Sequence, residues 1–190
     1  MRVIKSERAL FIMIRLFPFV FNKIRNKYFS LTFKTKNLKI GKCVSFSGSK
    51  NIKIGNNVLF GNLNWIDAID KGLINIGNNV SCSQCVHIAA ILDVRIGDGC
   101  LIGSDVLITD HDHAFGDNLS YIEPKTRGLK VKGPTEIGKN VWLGDNVKIL
   151  SGVVLGDNVV VAANAVVTKS FPSGSIVGGI PADYIHKTTK

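Results

Sequence analysis

A repeat with a period of six residues dominates the sequence and limits the folds that this chain can adopt. From residue 137 onward every sixth residue is aliphatic: Ile137, Leu143, Ile149, Leu155, Val161 and Val167. A second apolar series lies between them: Val141, Val147, Val153, Val159 and Ala165. A period of six fits neither an α-helix of about 3.6 residues per turn nor a simple alternating strand. Because three such hexads make one coil of a parallel β-helix, the sequence predicts an all-β solenoid.

The residues between the aliphatic positions are typical of tight corners. The second half of the chain repeats "IGKNVW", "LGDNVK" and "LGDNVV", and related phrases begin at Ile54, Ile76 and Ile96. Glycine, asparagine and aspartate tolerate the backbone angles of a corner, whereas valine and isoleucine suit flat strands. We therefore expect short strands joined by corners, with the aliphatic side chains stacked inside.

The repeat is interrupted twice. Between Ile88 and Ile96 the register slips by two positions, and the long stretch between Ile108 and Ile137 contains no hexad. Uninterrupted loops longer than roughly 12 to 15 residues inside a compact domain are usually functional or disordered. We expect an extruded loop over residues 109–136, and it opens with two histidines in the stretch "ITDHDH".

The positive charge is concentrated at the N-terminus. Of the formal net charge of +10, residues 1–42 supply eleven lysines and arginines against one acid, and the rest of the chain is balanced. This distribution argues against a nucleic-acid-binding surface and favours contact of the N-terminal segment with anionic lipid or an acidic partner. Arg15 splits apolar runs that are too short to span a bilayer or to form a signal peptide. We expect a helix with a bend at Pro18 that caps the fold, in a cytoplasmic protein that touches the membrane peripherally through residues 1–36.

The four cysteines are Cys43, Cys82, Cys85 and Cys100. Their even number permits disulfides, but a cytoplasmic setting favours free thiols. Cys82 and Cys100 occupy positions that the repeat elsewhere fills with valine or isoleucine, so we expect them to be small buried apolar residues.

Several motifs together resemble a known family. The hexads, the loop that opens on "ITDHDH", the run "KNVWLGDNVKILSGVVLGDNVVVAANAVVTKSFP" and the closing "VGGIPADYI" resemble the left-handed β-helix acyltransferases, specifically the galactoside, maltose and surface-polysaccharide O-acetyltransferase branch. The resemblance covers roughly residues 50–186. It implies a homotrimer that transfers an acetyl group from acetyl-CoA to a hydroxyl, with sites between neighbouring subunits and no metal.

With this resemblance the chain divides into three parts. Residues 1–36 form a basic, apolar helical segment, residues 37–175 form a left-handed parallel β-helix with the extruded loop 109–136, and residues 176–190 form a C-terminal tail. A solenoid has open ends, so the first and last parts are expected to cap it.

The resemblance also assigns roles to individual residues. It makes His111 the general base, and it places five residues along the coenzyme: Trp142, Asp145, Ala163, Thr168 and Lys169. Basic residues that follow the "GIPA" motif in some relatives are replaced by Asp183 and His186 in this chain. This departure bears on how the nucleotide end is held, where Lys187 could substitute.

The chemistry of a thioester fits a histidine base. Acetyl-CoA is already activated, so the protein must only deprotonate an alcohol and shelter an oxyanion, and an imidazole with a pKa of about 6.5 can take that proton. A catalytic imidazole usually has a partner that fixes its tautomer, and Asp93 and Glu123 are the two candidates. The acceptor side is predicted to include His113, Ser83 and His87.

Other functions are compatible with the same fold. An N-acetyltransferase acting on an amino sugar would share the coenzyme site. A metal hydratase like the γ-class carbonic anhydrases would use His87, His111 and His113 as zinc ligands, although the last two are separated by a single residue. A non-enzymatic β-helical scaffold would show flat rows of threonine, whereas the outward positions here are mixed.

Overall fold

The computed structural model describes residues 9–187 as one helix followed by a parallel β-solenoid of about seven turns. Helix α1 (Ala9–Thr32) runs through Pro18 without interruption, and the strands β1 to β21 follow in chain order. The strands form three sheets, which we call faces A, B and C and which are parallel except for the final β20–β21 pair, and one short antiparallel ribbon. The predicted solenoid is confirmed.

Each of the first five coils contributes one strand to each face. Face A contains β1 (Lys39–Ile40), β4 (Leu59–Phe60), β7 (Ser81–Cys82), β10 (Leu101–Ile102), β15 (Trp142–Leu143), β18 (Val160–Val161), β20 (Ser175–Gly179) and β21 (Ala182–Lys187). Face B contains β2 (Ser45–Ser47), β5 (Trp65–Ala68), β8 (His87–Ala90), β11 (Leu107–Thr109), β16 (Lys148–Ile149) and β19 (Val166–Val167). Face C contains β3 (Ile52–Ile54), β6 (Leu73–Ile76), β9 (Asp93–Ile96), β14 (Thr135–Ile137) and β17 (Val154–Leu155).

The aliphatic residues of the repeat stack inside the solenoid. On face B, for example, Ile88, Ile108 and Ile149 occupy adjacent rungs in register, and all three are fully buried. Cys82 and Cys100 are buried in the same core, as the sequence predicts, and all four cysteines are free. Burial of the apolar surface of stacked coils is the main source of stability in such a fold.

The corners between faces A and B and between faces C and A follow one geometry. At the A–B corner each coil places one residue in the left-handed region: Cys43, Leu63, Cys85, Asp105, Asn146 and Asn164. Corner side chains also join neighbouring coils, as where Asp145 Oδ1 accepts the Ser104 N–H at 2.7 Å. An ideal Cβ on Gly61 would lie 2.5 Å from the Ser83 carbonyl oxygen, so the close stacking of coils requires glycine there.

The B–C corner, in contrast, changes from coil to coil. In the later coils register partners are separated by exactly three hexads, as for Trp142 and Val160. In the first three coils the separation is longer by two or four positions, as for Lys39 and Leu59 or for Leu59 and Ser81. The additional residues lie at the B–C corner in every case. From the sequence, only the slip after Ile88 is evident. The insertions in the first two coils are flanked by apolar residues, so the break in the period is not visible there.

The extruded loop leaves the solenoid at this same B–C corner. Because of it, Leu101 pairs with Trp142, which is roughly twice as far along the chain as register partners lie elsewhere. Inside the loop, β12 (His111–His113) pairs antiparallel with β13 (Leu129–Val131), and short 3-10 turns cover Asp117–Leu119 and Pro124–Thr126. The loop is therefore an ordered β-ribbon at its base.

Both ends of the solenoid are covered. At the first coil the Arg25 guanidinium of α1 donates to the carbonyls of Ile40 and Gly41, and Phe29 packs against Phe46. At the last coil β21 folds back antiparallel on β20, and Tyr184 packs edge-on against Phe171 at 5.2 Å. The segment 176–190, which the sequence assigns to a tail, thus continues face A as far as residue 187.

Candidate active site

His111 lies at the point where the extruded loop leaves face B. It is the first residue of β12, and its side chain is 13% exposed. Its Nδ1 lies 3.0 Å from Asp110 Oδ1 and 3.1 Å from Thr109 Oγ1. The imidazole is thus held from one side by its two predecessors in the sequence.

The Asp110 carboxylate is fully buried and is fixed by the preceding coil. Its Oδ1 accepts the Ile91 N–H at 3.0 Å, and its Oδ2 accepts the N–H groups of Leu92 and Asp93 at 2.8 and 2.7 Å. These donors lie at the B–C corner before the loop, which is two residues longer than a regular corner. Three backbone donors hold the buried carboxylate in one orientation.

The base of the loop is fastened to the coil that follows it. The Thr135 hydroxyl donates to the Thr109 carbonyl at 2.9 Å, and the Ser151 hydroxyl donates to the Asp110 carbonyl. Thr109, Thr135 and Ser151 are buried, as is Asp110. The histidine is therefore carried on rigid backbone, although it opens a long loop.

This geometry selects one tautomer of His111. Because Asp110 is an acceptor with three other donors bound, the proton of a neutral imidazole belongs on Nδ1, where it is donated to Oδ1. The Nε2 lone pair is then available to accept a proton. Such an arrangement can act as a general base.

Neither acidic partner predicted from the sequence fills this role. The Asp93 carboxylate pairs with Arg95, and only its backbone N–H enters the site, through Asp110. A regular coil of three hexads points to Asp93 as the neighbour of His111, but this coil is two positions longer, as the pairing of strands β8 and β11 shows. Glu123 is 70% exposed and pairs with Lys125. Sequence reasoning missed Asp110, although it directly precedes the histidine.

The predicted coenzyme residues lie on the later coils, in two groups. Trp142 projects outward from face A and is exposed, and Asp145 and Ala163 lie at the A–B corner below it. Thr168 and Lys169 follow β19, at the B–C corner. Asp145 also has a structural role, because it accepts the Ser104 N–H.

Lys169 forms an ion pair with Asp183, one of the two residues that depart from the family motif. Its ammonium lies 3.2 Å from Asp183 Oδ1 and 5.6 Å from the centre of the Phe171 ring. A lysine that must leave a carboxylate to bind a phosphate does so at a cost, although the pair is exposed and weak.

The predicted acceptor residues are also divided between corners. Ser83 lies at the A–B corner, and its backbone carbonyl accepts a hydrogen bond from the Asn64 side-chain amide. His113 is exposed on β12, on the same side of the strand as His111. His87 projects from face B, where it stacks on the exposed Trp65 ring at 4.9 Å and lies 3.4 Å from Asp67 Oδ2.

Trp65 and Asp67 contact His87 in the structure, and sequence reasoning did not predict either contact. Counting three hexads per coil does not place Trp65 beside His87, because this coil is four positions longer than the regular one. Asp67 Oδ1 and His87 Nε2 are buried and have no hydrogen-bond partner among the described residues, whereas the His87 side chain as a whole is 36% exposed. An exposed aromatic ring beside a partly exposed imidazole is typical of a ligand-binding surface.

The cysteines do not resemble catalytic thiols. Burial raises the pKa of Cys82 to about 12 and that of Cys100 to about 11. Cys85 occupies a corner position with a left-handed backbone. Among residues 9–187 no three histidine, cysteine, aspartate or glutamate side chains are grouped so as to hold a metal ion; His87 lies with Trp65 and Asp67, and His111 with Asp110.

Comparison with known proteins places this geometry in context. The family model "Bacterial transferase hexapeptide (six repeats)" matches residues 134–169, and "Hexapeptide repeat of succinyl-transferase" matches residues 93–108. The putative lipopolysaccharide biosynthesis O-acetyl transferase WbbJ of Escherichia coli is 41% identical over 141 residues, which cover 72% of this chain and 71% of that protein. Galactoside O-acetyltransferase of Escherichia coli is 33% identical over 114 residues, or 60% of this chain and 54% of that protein.

Solved structures show the same fold. Galactoside acetyltransferase in complex with coenzyme A superposes with a TM-score of 0.56 and 28% identity, over 84% of this chain and 69% of that one. The N-acyltransferase AntD from Bacillus cereus, in complex with dTDP and 3-hydroxybutyryl-CoA, gives a TM-score of 0.70 over 87% and 88% of the two chains. At 21% identity the second similarity concerns the fold alone.

Proposed function

Since this chain belongs to the hexapeptide-repeat acyltransferase family and is an acetyltransferase that uses acetyl-CoA, we propose that it acetylates a sugar hydroxyl. The acceptor is a surface polysaccharide or its lipid-linked precursor. The similarity to a putative lipopolysaccharide O-acetyl transferase over most of both chains supports this acceptor class. The observation that carries the chemistry is the contact of His111 Nδ1 with the buried Asp110 carboxylate.

His111 is the general base of the proposed reaction. Acetyl-CoA supplies the activated thioester carbonyl. The Nε2 lone pair takes the proton of the acceptor hydroxyl while its oxygen bonds to that carbonyl, and the carbon–sulfur bond then breaks. The departing thiolate takes the same proton from Nε2, so His111 ends neutral and the products are an ester and a thiol. A base in this role contributes about 10²- to 10⁴-fold to the rate.

Asp110 is a positioning residue in this account. It keeps the proton on Nδ1 and stabilises the imidazolium that forms when Nε2 is protonated. Its own orientation comes from the three N–H groups of residues 91–93 and costs no further ordering during the reaction. Thr109 adds a second contact to Nδ1.

The division of the site between two corners supports an assembly with sites at subunit seams. Ser83, Asp145 and Ala163 lie at the A–B corner, whereas His111 and Lys169 lie at the B–C corner, on the opposite edge of face B. One chain therefore does not gather them around one point. In the homotrimer that we propose, the A–B corner of one subunit meets the B–C corner of its neighbour.

Face B offers a surface for the acceptor next to the base. The exposed ring of Trp65 can pack against the C–H face of a sugar, and the partly exposed His87 imidazole, which Asp67 orients, can hydrogen-bond a hydroxyl. These residues lie on the two strands that precede β11 in face B. We propose that this group, with Ser83 and His113, contacts the acceptor.

Mass spectrometry of candidate glycans incubated with the protein and acetyl-CoA tests the proposal. We expect a gain of acetyl that mild alkali removes, because esters hydrolyse there and amides do not. His111→Ala should lower the rate about 10²-fold or more. Glu123→Gln serves as the control, since this exposed carboxylate contacts Lys125 only. An alkali-stable product would show N-acetylation, and undiminished transfer by His111→Ala would refute the assigned base.

A further inference from the structure

Helix α1 has an inner face that is fixed to the solenoid. Besides the Arg25 contacts, Asn26 Oδ1 accepts the Ile40 N–H and Ser30 Oγ accepts the Leu38 N–H. Phe29 stacks with Phe33 against the aromatic cluster of the first coil. The position and rotation of the helix are therefore set by contacts along this face.

The outer face of the same helix is apolar and exposed from residue 21 to its end. Phe21, Ile24, Tyr28 and Leu31 follow one another at spacings of three or four residues, which puts them on one side of the helix. Their exposed fractions are 60%, 65%, 68% and 70%. We call these four residues the α1 stripe. A row of large exposed apolar side chains is typical of a surface that binds something.

The surroundings of the α1 stripe are strongly basic. Residues 21–42 contain no acid. Six lysines in this range are exposed: Lys23, Lys27, Lys34, Lys36, Lys39 and Lys42. Lys23 and Lys39 line a groove beside α1 together with Asn26 and Asn37. Phosphate oxygens are the natural partners of grouped lysines and amide groups.

These two features favour a bilayer surface over a second copy of the chain. Pairing two α1 stripes would bring two sets of six lysines together, and like charges repel. An anionic bilayer satisfies both features, because its acyl boundary accepts the apolar side chains and its headgroups neutralise the lysines. Within residues 9–187 no helix is long and apolar enough to cross a membrane.

We propose that α1 is an interfacial helix that lies along the surface of a membrane containing anionic lipid, with the α1 stripe inserted at the level of the headgroups. The inner face of α1 meanwhile holds the first coil, so the solenoid stands on the membrane by its N-terminal end. The α1 stripe runs from Phe21 to Leu31, which is about 15 Å of helix. This inference does not depend on the identity of the acceptor.

Vesicle flotation of the full chain tests the proposal, with vesicles of phosphatidylcholine alone and of phosphatidylcholine mixed with phosphatidylglycerol. We expect binding to the mixed vesicles and about tenfold or more weaker binding to the neutral ones. The double substitution Ile24→Ser and Leu31→Ser should weaken binding to the mixed vesicles about tenfold or more, because both side chains lose apolar contact. Both residues are exposed, so the fold should be retained.

The matched control is Leu73→Ser, which removes an exposed leucine from face C, away from α1. It should bind vesicles like the original chain. Lys27→Gln with Lys34→Gln should weaken binding to the mixed vesicles only. Acetyl transfer to a soluble acceptor should be unchanged in all of these variants, so failure here is distinct from failure of the proposed reaction.

Three results would overturn the proposal. The first is no binding of the full chain to the mixed vesicles. The second is equal binding by the stripe variant and the Leu73→Ser control. The third is a fall in the oligomeric mass of the stripe variant in sedimentation, which would show that the α1 stripe is a contact between subunits.

Discussion

The A–B and B–C corners of the solenoid solve the same problem in different ways. At the A–B corner every coil turns with one left-handed residue, from Cys43 in the first coil to Asn164 in a late one. At the B–C corner the coils gain two or four residues and then the extruded loop, before the corner becomes regular again at Gly152. The regular corner holds the stack together, and the irregular corner carries His111.

The comparison is sharpest between two carboxylates. At a regular corner, Asp157 Oδ1 accepts one N–H from the neighbouring coil, that of Lys139, at 2.7 Å. At the irregular corner Asp110 accepts three such groups and is fully buried, which leaves Oδ1 in contact with an imidazole as well. A carboxylate therefore joins neighbouring coils at both corners, but at the irregular corner it also holds the imidazole of His111.

The largest expected effect is the difference in kcat between the variants Asp110→Ala, at the irregular corner, and Asp157→Ala, at a regular corner. Asp110→Ala removes the partner of His111 and leaves three buried N–H groups without an acceptor, so kcat should fall about 10²-fold or more and the unfolding free energy by about 1–3 kcal/mol. Asp157→Ala should lower stability by about 1 kcal/mol and leave kcat near normal.

Steady-state kinetics and urea unfolding check both variants. A positioning role requires that the KM for acetyl-CoA change little in Asp110→Ala while kcat falls, since the Asp110 side chain is fully buried and acts through His111. Equal losses of kcat in the two variants would mean that the irregular corner has no special role.

Glycine substitutions should show the opposite ranking. Gly61→Ala at the A–B corner places a Cβ 2.5 Å from the Ser83 carbonyl oxygen, and we expect a loss of about 1–3 kcal/mol of unfolding free energy. Gly128→Ala in the extruded loop meets nothing within 4 Å and should be neutral. Thermal or urea unfolding measures this, and a Gly61→Ala chain as stable as Gly128→Ala would contradict the close stacking at the regular corner.

The smallest expected effect concerns the reactivity of the cysteines. It distinguishes the exposed thiol at the corner from the buried thiols of the core. Cys43 lies exposed at the A–B corner, whereas burial raises the pKa of Cys82 and Cys100 to about 12 and about 11. A thiol reagent near pH 8 should modify Cys43 quickly and the two core thiols only after unfolding. Because these pKa values are raised in the folded state, unfolding free energy should be constant below the unfolded thiol pKa and decline above it. Rapid modification of all four thiols would refute the closed core.

Much of the fold could be predicted because the repeat reports directly on burial. Aliphatic positions every six residues identified the inward side of each strand, and they correctly marked Cys82 and Cys100 as core residues. The position of the long loop followed from the interruption after Ile108. These features depend only on local periodicity, which a single sequence contains.

The details of the site could not be predicted in the same way, because they depend on coil length. A fixed period of three hexads points to Asp93 as the neighbour of His111, whereas the insertions lengthen the true register by two or four positions. The same shift concealed the stacking of Trp65 on His87. The support of Asp110 by backbone N–H groups has no signature in residue type at all.

The central claim is that buried Asp110 places the proton of the neutral His111 imidazole on Nδ1 and leaves Nε2 as the proton acceptor, and this can be measured without knowing the acceptor sugar. Long-range ¹H–¹⁵N spectra of histidine-labelled protein at about pH 8, where an imidazole is mostly neutral, report the protonated nitrogen directly, with exposed His113 as an internal reference. The account predicts the Nδ1–H tautomer at His111 in the original chain and its loss in Asp110→Ala. An Nε2–H tautomer at His111 in the original chain would contradict it.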